Sequence, residues 1–177
     1  MKNILISALA LVLAAALLLG ASWALAGIRE KNQAFELQSK LQTLLPGSET
    51  FTQEAYTGND ANIRTVYKGE TGFVIATVTY GYAGDIAMLI GVSSQGKVTG
   101  LTVREMSDTL GLGAKAMTDW EFLAQFLNTD GSAQVGEDVD ALTGATVTSK
   151  AVARSVASAV AFVTGADTDS GATVWEG

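Results

Sequence analysis

The run Thr143-Gly144-Ala145-Thr146-Val147-Thr148-Ser149 places hydroxyls and small residues where the downstream apolar spacing predicts the first turn of a helix. The first amides of a helix lack intrahelical acceptors, and with the helix dipole they attract an anion. Gly144 and Ala145 let a bulky group approach the backbone, and Thr146 can set its hydroxyl beside the positive helix end. The same residue types also suit a plain Thr or Ser helix cap. Spacing alone therefore leaves two readings, a phosphate site or a cap.

Composition narrows the chemistry. The 177 residues include no Cys and no His, 11 Lys and Arg against 18 Asp and Glu, and a net charge of −7. Cys/His zinc sites, iron–sulfur ligation, disulfides, thiol nucleophiles and His-based triads are excluded. Redox chemistry here needs an organic cofactor, and a metal would need carboxylates. No basic patch exists to neutralise phosphates, so no nucleic-acid partner is expected.

Asp140-Ala141-Leu142-Thr143-Gly144-Ala145-Thr146 resembles the Asp-x-x-Ser/Thr-Gly-Ala-Thr flavinylation motif of a family of FMN-binding domains. These occur in the G subunit of Rnf complexes and the C subunit of the sodium-pumping NADH:quinone oxidoreductase. In that family the last threonine carries FMN through a phosphoester made by a dedicated flavin transferase, which uses FAD and Mg²⁺. A second stretch, Asp108-Thr109-Leu110-Gly111-Leu112-Gly113, is similar to the family's Glu-Thr-Pro-Gly-Leu-Gly loop, which packs against the isoalloxazine ring. It departs from that pattern at Asp108 and Leu110. The resemblance implies a cofactor set of Thr146, as covalent FMN carrier, with Thr143, Gly144, Ala145, Val147 and Thr148. From the loop it adds Asp108, Thr109, Gly111, Leu112 and Gly113. Thr146 is then an attachment point, and neither a catalytic residue nor a metal is expected.

Other candidates compete. Asp167-Thr168-Asp169-Ser170-Gly171-Ala172-Thr173 repeats the motif in the C-terminal tail, but only four residues follow Thr173, too few for a helix to hold a phosphate. Thr148 is a minor alternative attachment point. Tyr80, Tyr82, Trp120, Phe122 and Phe126 are expected in the core more than at a flavin. Lys150 and Arg154 suit a solvated helix face, and Glu137, Asp138 and Asp140 match no metal-ligand loop.

The elements that must position these residues follow from periodicity. Ala34, Leu37, Leu41, Leu44 and Leu45 recur at helical spacing up to Pro46-Gly47. Strands are expected at Ile63 to Lys68, Phe73 to Tyr80, Asp85 to Val92 and Val98 to Val103, as an antiparallel meander. A short helix with Trp120, Phe122, Leu123 and Phe126 on its apolar face follows, then an extended piece from Ser132 to Val139. A last helix, bearing Val147, Ala151, Val152, Val156, Val160 and Val163, opens at the motif. The expected fold class is α+β, an antiparallel sheet packed against helices after an N-terminal transmembrane helix, and the resemblance implies that this one domain binds FMN.

From Ile4 to Ile28 no residue is charged, a run that at helical rise spans about 37 Å and suffices to cross a bilayer. A cleaved signal peptide is the competing reading, with Lys2 as its basic region and Ala24-Leu25-Ala26 as its cleavage site. Either exports the remainder. The expected organisation is an anchor at 1–28, an amphipathic connecting helix at 29–47, the FMN-binding domain at 48–164 and a flexible tail at 165–177. By resemblance the chain is a single-pass inner-membrane flavoprotein subunit with its soluble domain outside the cytoplasm. It would relay electrons in a ferredoxin:NAD⁺ oxidoreductase that moves Na⁺ or H⁺, with other membrane subunits and the flavin transferase as partners. Such a subunit is not a complete enzyme. A stand-alone exported FMN carrier and a flavin-free binding module are the rival readings.

Overall fold

The computed structural model describes residues 31–82, 84–106 and 119–166, together with Gly20. The uncharged run, apart from Gly20, lies outside the described residues, as do Asp108, Thr109, Gly111, Leu112, Gly113 and the tail motif ending at Thr173. Among the described residues no helix is long and apolar enough to cross a membrane.

Helix α1 occupies residues 31–44 and ends where proline cannot continue it, at Pro46 and Gly47, the glycine taking φ +87°. Residues up to Ser39 and those from Lys40 onward form separate units. In the first, Ala34 and Phe35 are exposed and Leu37 is half-buried. In the second, Leu41, Leu44 and Leu45 are buried.

Five strands form one antiparallel sheet in chain order: β1 (Thr52–Glu54), β2 (Ile63–Lys68), β3 (Gly72–Tyr80), β4 (Asp85–Ser93) and β5 (Val98–Met106). Four coincide with the expected meander, and β5 runs three residues further than expected. Strand β1 lies outside that expectation, because Thr52-Gln53-Glu54 has no apolar alternation and stays exposed; only its pairing with β2 makes it a strand. Tight turns set the register: Gly69 N–H donates to Gly72 O at 2.9 Å, and Gly81 N–H to Gly84 O at 2.8 Å.

The pleat sends alternate residues to opposite faces. Ile75, Ile86, Met88, Ile90, Val92 and Leu101 share one core with Phe122, Leu123 and Phe126 around the short helix α2 (Trp120–Ala124). Ala151, Val152, Val156, Ala159 and Val160 of helix α3 (Thr146–Thr164) complete it. The small α3 side chains bring that helix close to the sheet, where Thr79 Oγ1 donates to Ala151 O at 3.1 Å. On the other face Gly91 must be glycine, since a Cβ there would collide with Leu44 O. Thr99 Oγ1 donates to that same carbonyl at 2.6 Å.

Two local expectations are corrected. Residues 132–139 form no strand; Gly136 at φ +96° folds the chain back, leaving an isolated Val135–Val139 bridge. Trp120 is 64% exposed, because it lies about 200° around α2 from buried Phe122.

Candidate functional site

Three segments meet at one end of the sheet because of strand polarity and the direction of α3. Tyr80 pairs with Asp85 across the β3–β4 turn, and Ile86 pairs with Met106 at the end of β5. Contacts of α3 fix its direction: Thr79 meets Ala151 and Ser155, Asn62 meets Ser158, and a Cβ on Gly96 in the β4–β5 turn would touch Thr164. The N-terminus of α3 therefore points toward the β3–β4 turn and the end of β5. From Met106 the chain continues toward Asp108 to Gly113, outside the described residues.

The segment leading into α3 is held by its own hydrogen bonds. Ala145 N–H donates to Leu142 O at 2.9 Å across a turn that has Gly144 at φ +77°, a conformation suited to glycine. Leu142 N–H donates to Ser149 Oγ at 3.1 Å, and Ser149 Oγ donates to Ala145 O at 3.0 Å. Asp140 N–H donates to Gln125 Oε1 at 2.8 Å.

The cap reading of the motif fails. The residue in the N-cap position is Ala145, with φ −129°, ψ 37° and no side-chain cap. Neither Thr143 nor Thr146 fills that role, so the amides of Thr146, Val147 and Thr148 open the helix without an intrahelical acceptor. No acidic residue occupies the first turn, so nothing on the helix opposes an incoming anion. Thr146 is exposed, as are Thr143 and Gly144; Val147 is half-buried and Ala145 buried. Thr148, the alternative attachment point, is 1% exposed, so of the two threonines only Thr146 stands in solvent.

A phosphate ester fits this arrangement: an exposed threonine, first-turn amides that no side chain caps among the described residues, and a glycine-bearing turn stand at a positive helix end. Expectation for the aromatics is corrected in part. Phe122 and Phe126 are buried, whereas Tyr80 and Tyr82 are 66% and 76% exposed at the site end. Tyr80 follows Thr79, which faces α3, so the pleat turns Tyr80 away from the core. Arg154 Nη2 donates to Tyr80 O at 3.2 Å and so ties α3 to the end of β3, while Lys150 is solvent-exposed. Among the described residues no cluster of His, Cys, Asp or Glu could hold a metal ion. The Asp138 carboxylate instead accepts the Gln134 amide at 3.0 Å.

Sequence reasoning missed the parts played by Gln125 and Ser149. A glutamine at a helix end and a serine one turn into a helix carry no distinguishing pattern. Their partners are backbone groups set by tertiary structure.

Residues 81–161, from the β3–β4 turn nearly to the end of α3, match the family model of the FMN-binding domain. The chain is 35% identical over 111 residues to the G subunit of the Na⁺-translocating ferredoxin:NAD⁺ oxidoreductase complex of Acetobacterium woodii, covering 58% of this chain and 51% of that protein. It is 36% identical over 99 residues to the G subunit of the proton-translocating ferredoxin:NAD⁺ oxidoreductase complex of Clostridium ljungdahlii, covering 52% and 53%. In both cases the match spans about half the relative's length. With the G subunit of the ion-translocating oxidoreductase complex of Methanosarcina acetivorans it shares 34% identity over 147 residues, covering 74% of this chain and 77% of the relative. The uncapped helix start, the sheet end that faces it and these similarities agree, and the chain belongs to the family of FMN-binding G subunits of ion-translocating oxidoreductase (Rnf) complexes.

Proposed function

We propose that this chain carries FMN covalently on Thr146 and relays electrons within an ion-translocating ferredoxin:NAD⁺ oxidoreductase complex. The observation that carries the reading is the start of α3, where an exposed threonine follows an alanine that cannot cap. A chain without Cys or His gains one- and two-electron chemistry from a bound flavin.

Attachment would join Thr146 Oγ to the FMN phosphorus as the pyrophosphate bond of FAD breaks; AMP leaves and takes up the hydroxyl proton. The ester keeps one negative charge. Amides of Thr146 and Val147 would hold it, with the helix dipole contributing about 0.3–1 kcal/mol at an exposed position. Gly144 leaves room for the approach. Thr143, Ala145 and Val147 border the phosphate end, and Asp108, Thr109, Gly111, Leu112 and Gly113 are assigned to the ring by resemblance.

The uncharged run from Ile4 to Ile28 supports a single-pass anchor at 1–28, with residues 29–47 connecting it to an extracytoplasmic flavin domain at 48–164 and a tail at 165–177. Other subunits of the complex are the lasting partners, and the flavin transferase is a transient one. A covalent link suits that location, where a dissociated flavin would be lost.

The test is the full chain co-produced with a flavin transferase and run on a denaturing gel. Flavin fluorescence should persist in wild type and Thr173→Ala and vanish in Thr146→Ala. A dark wild-type band beside an active transferase would remove covalent attachment, and fluorescence surviving Thr146→Ala would move the site.

A further inference from the structure

The uncapped start of α3 needs an explanation, because a more ordinary arrangement of the same residues would cap it. Thr143 lies three residues before Thr146, the spacing at which a threonine hydroxyl caps a helix by accepting an N3 amide. A helix begun at Gly144 and capped by Thr143 would consume amides that an anion needs. A pair of side chains outside the motif turn bonds the backbone in the observed arrangement instead. Ser149 is 0% exposed and uses its hydroxyl twice, accepting from Leu142 N–H and donating to Ala145 O. A helical serine commonly makes only the second of these bonds; the first reaches back to an amide outside the helix. Gln125, at the end of α2, accepts from Asp140 N–H. Together with the Ala145–Leu142 bond, these contacts pin the backbone at 140, 142 and 145 around Gly144 at φ +77°, which a helix cannot incorporate.

We propose that Ser149 and Gln125 are positioning residues for flavin attachment, forming a clamp that holds residues 140–145 out of the helix and keeps Thr146 and its neighbouring amides open. This rests on Thr146 as the attachment site. Neither side chain touches the flavin; both act through the backbone of the loop, as supporting residues do around a preorganised site. The clamp also links α2, which follows the glycine-rich stretch in sequence, to the attachment loop.

The test uses the full chain with purified flavin transferase, FAD and Mg²⁺, and reads the rate of covalent flavin gain with thermal stability measured in parallel. Ser149→Ala and Gln125→Met should each lower the kcat/KM of attachment by up to about tenfold, the scale of one lost intramolecular hydrogen bond. Gln125→Glu keeps an acceptor oxygen and should stay within about twofold of wild type. Amide hydrogen exchange at Asp140 and Leu142 should accelerate in the slow variants. Gln125 is half-buried, so the Met/Glu pair carries the test if Ser149→Ala fails to fold. Attachment at the wild-type rate in Gln125→Met, or equal loss in Met and Glu variants, would overturn the clamp while leaving Thr146 as the site. A wild-type chain that gains no flavin would remove the site and the clamp together.

Discussion

The two ends of the sheet are built on opposite terms. At the end holding the β2–β3 and β4–β5 turns, polar groups are matched. Glu70 accepts from Glu49 N–H, Thr50 N–H and the Thr50 hydroxyl, which together hold its carboxyl below the usual range, the Thr50 hydroxyl most strongly. Ser48 and Thr71 share a hydroxyl bond of 2.9 Å, and Asp130 meets Lys97 at 3.4 Å. At the opposite end α3 opens on an alanine, and Tyr80 and Tyr82 stand in solvent. Among the described residues, side chains satisfy the loop amides at the first end, whereas no side chain caps the start of α3 at the second. The difference agrees with the site proposed from the motif, since amides that no side chain caps stay open to water or to an anion.

The largest expected effect tests whether both ends depend on one core. Phe126 is 0% exposed and packs edge-on against Phe122 at 5.4 Å. Phe126→Ala should cost about 3–5 kcal/mol, read by urea unfolding as a single transition shifted to lower denaturant. Two separate transitions, one reported near Tyr82 and one near Lys97, would break the comparison by making the ends independent units.

A smaller effect sharpens it. Gly144 and Gly96 share φ +77° but sit at opposite ends. Placing alanine at either should cost about 1–2 kcal/mol, because a Cβ is disfavoured in the left-handed region, with Gly96→Ala the worse for a contact with Thr164 Cγ2 at 2.5 Å. Flavin attachment should slow in Gly144→Ala and hold in Gly96→Ala. Equal slowing in both would mean that attachment follows overall stability and that the site end is not specialised.

The sheet and the core helices are legible in the sequence because alternation and helical spacing record burial. Strands β2, β3 and β4, buried Phe122 and Phe126, and the start of α3 at Thr146 all carry that record. Strand β1 leaves no trace, since an exposed edge of three polar residues is specified by its neighbour alone. At the site, Thr146 and Gly144 are visible as residue types, but the absence of a cap is not. The residues Thr143, Thr146 and Ser149 are good cap formers by type, and only the folded backbone, with Ala145 in the N-cap position and no side-chain cap bond, shows that capping does not occur. Exposure of Tyr80, Tyr82 and Trp120 escapes the sequence for a related reason: aromatic type suggests a core, whereas pleat and helix phase decide which way each ring turns.

The smallest effect concerns the matched end alone. Asp130 accepts from the Ser132 hydroxyl at 2.6 Å and from its amide, with Lys97 nearby, and these hold its carboxyl down to about 2, the Ser132 hydroxyl foremost. A carboxyl whose folded value lies below its unfolded value near 3.8 stabilises the fold above that unfolded value and loses this contribution as pH falls toward 2. The group is largely solvated, so the gain stays below about 1 kcal/mol. Asp130→Asn should therefore lower the Tm slightly at neutral pH, and the gap from wild type should close between about pH 4 and pH 2. Flavin attachment at neutral pH should be unchanged by the variant, because the bonds lost lie at the far end from Thr146. A gap that is flat with pH would show that the hydrogen bonds do not discriminate the charged carboxylate, and slowed attachment would show that the two ends of the sheet communicate.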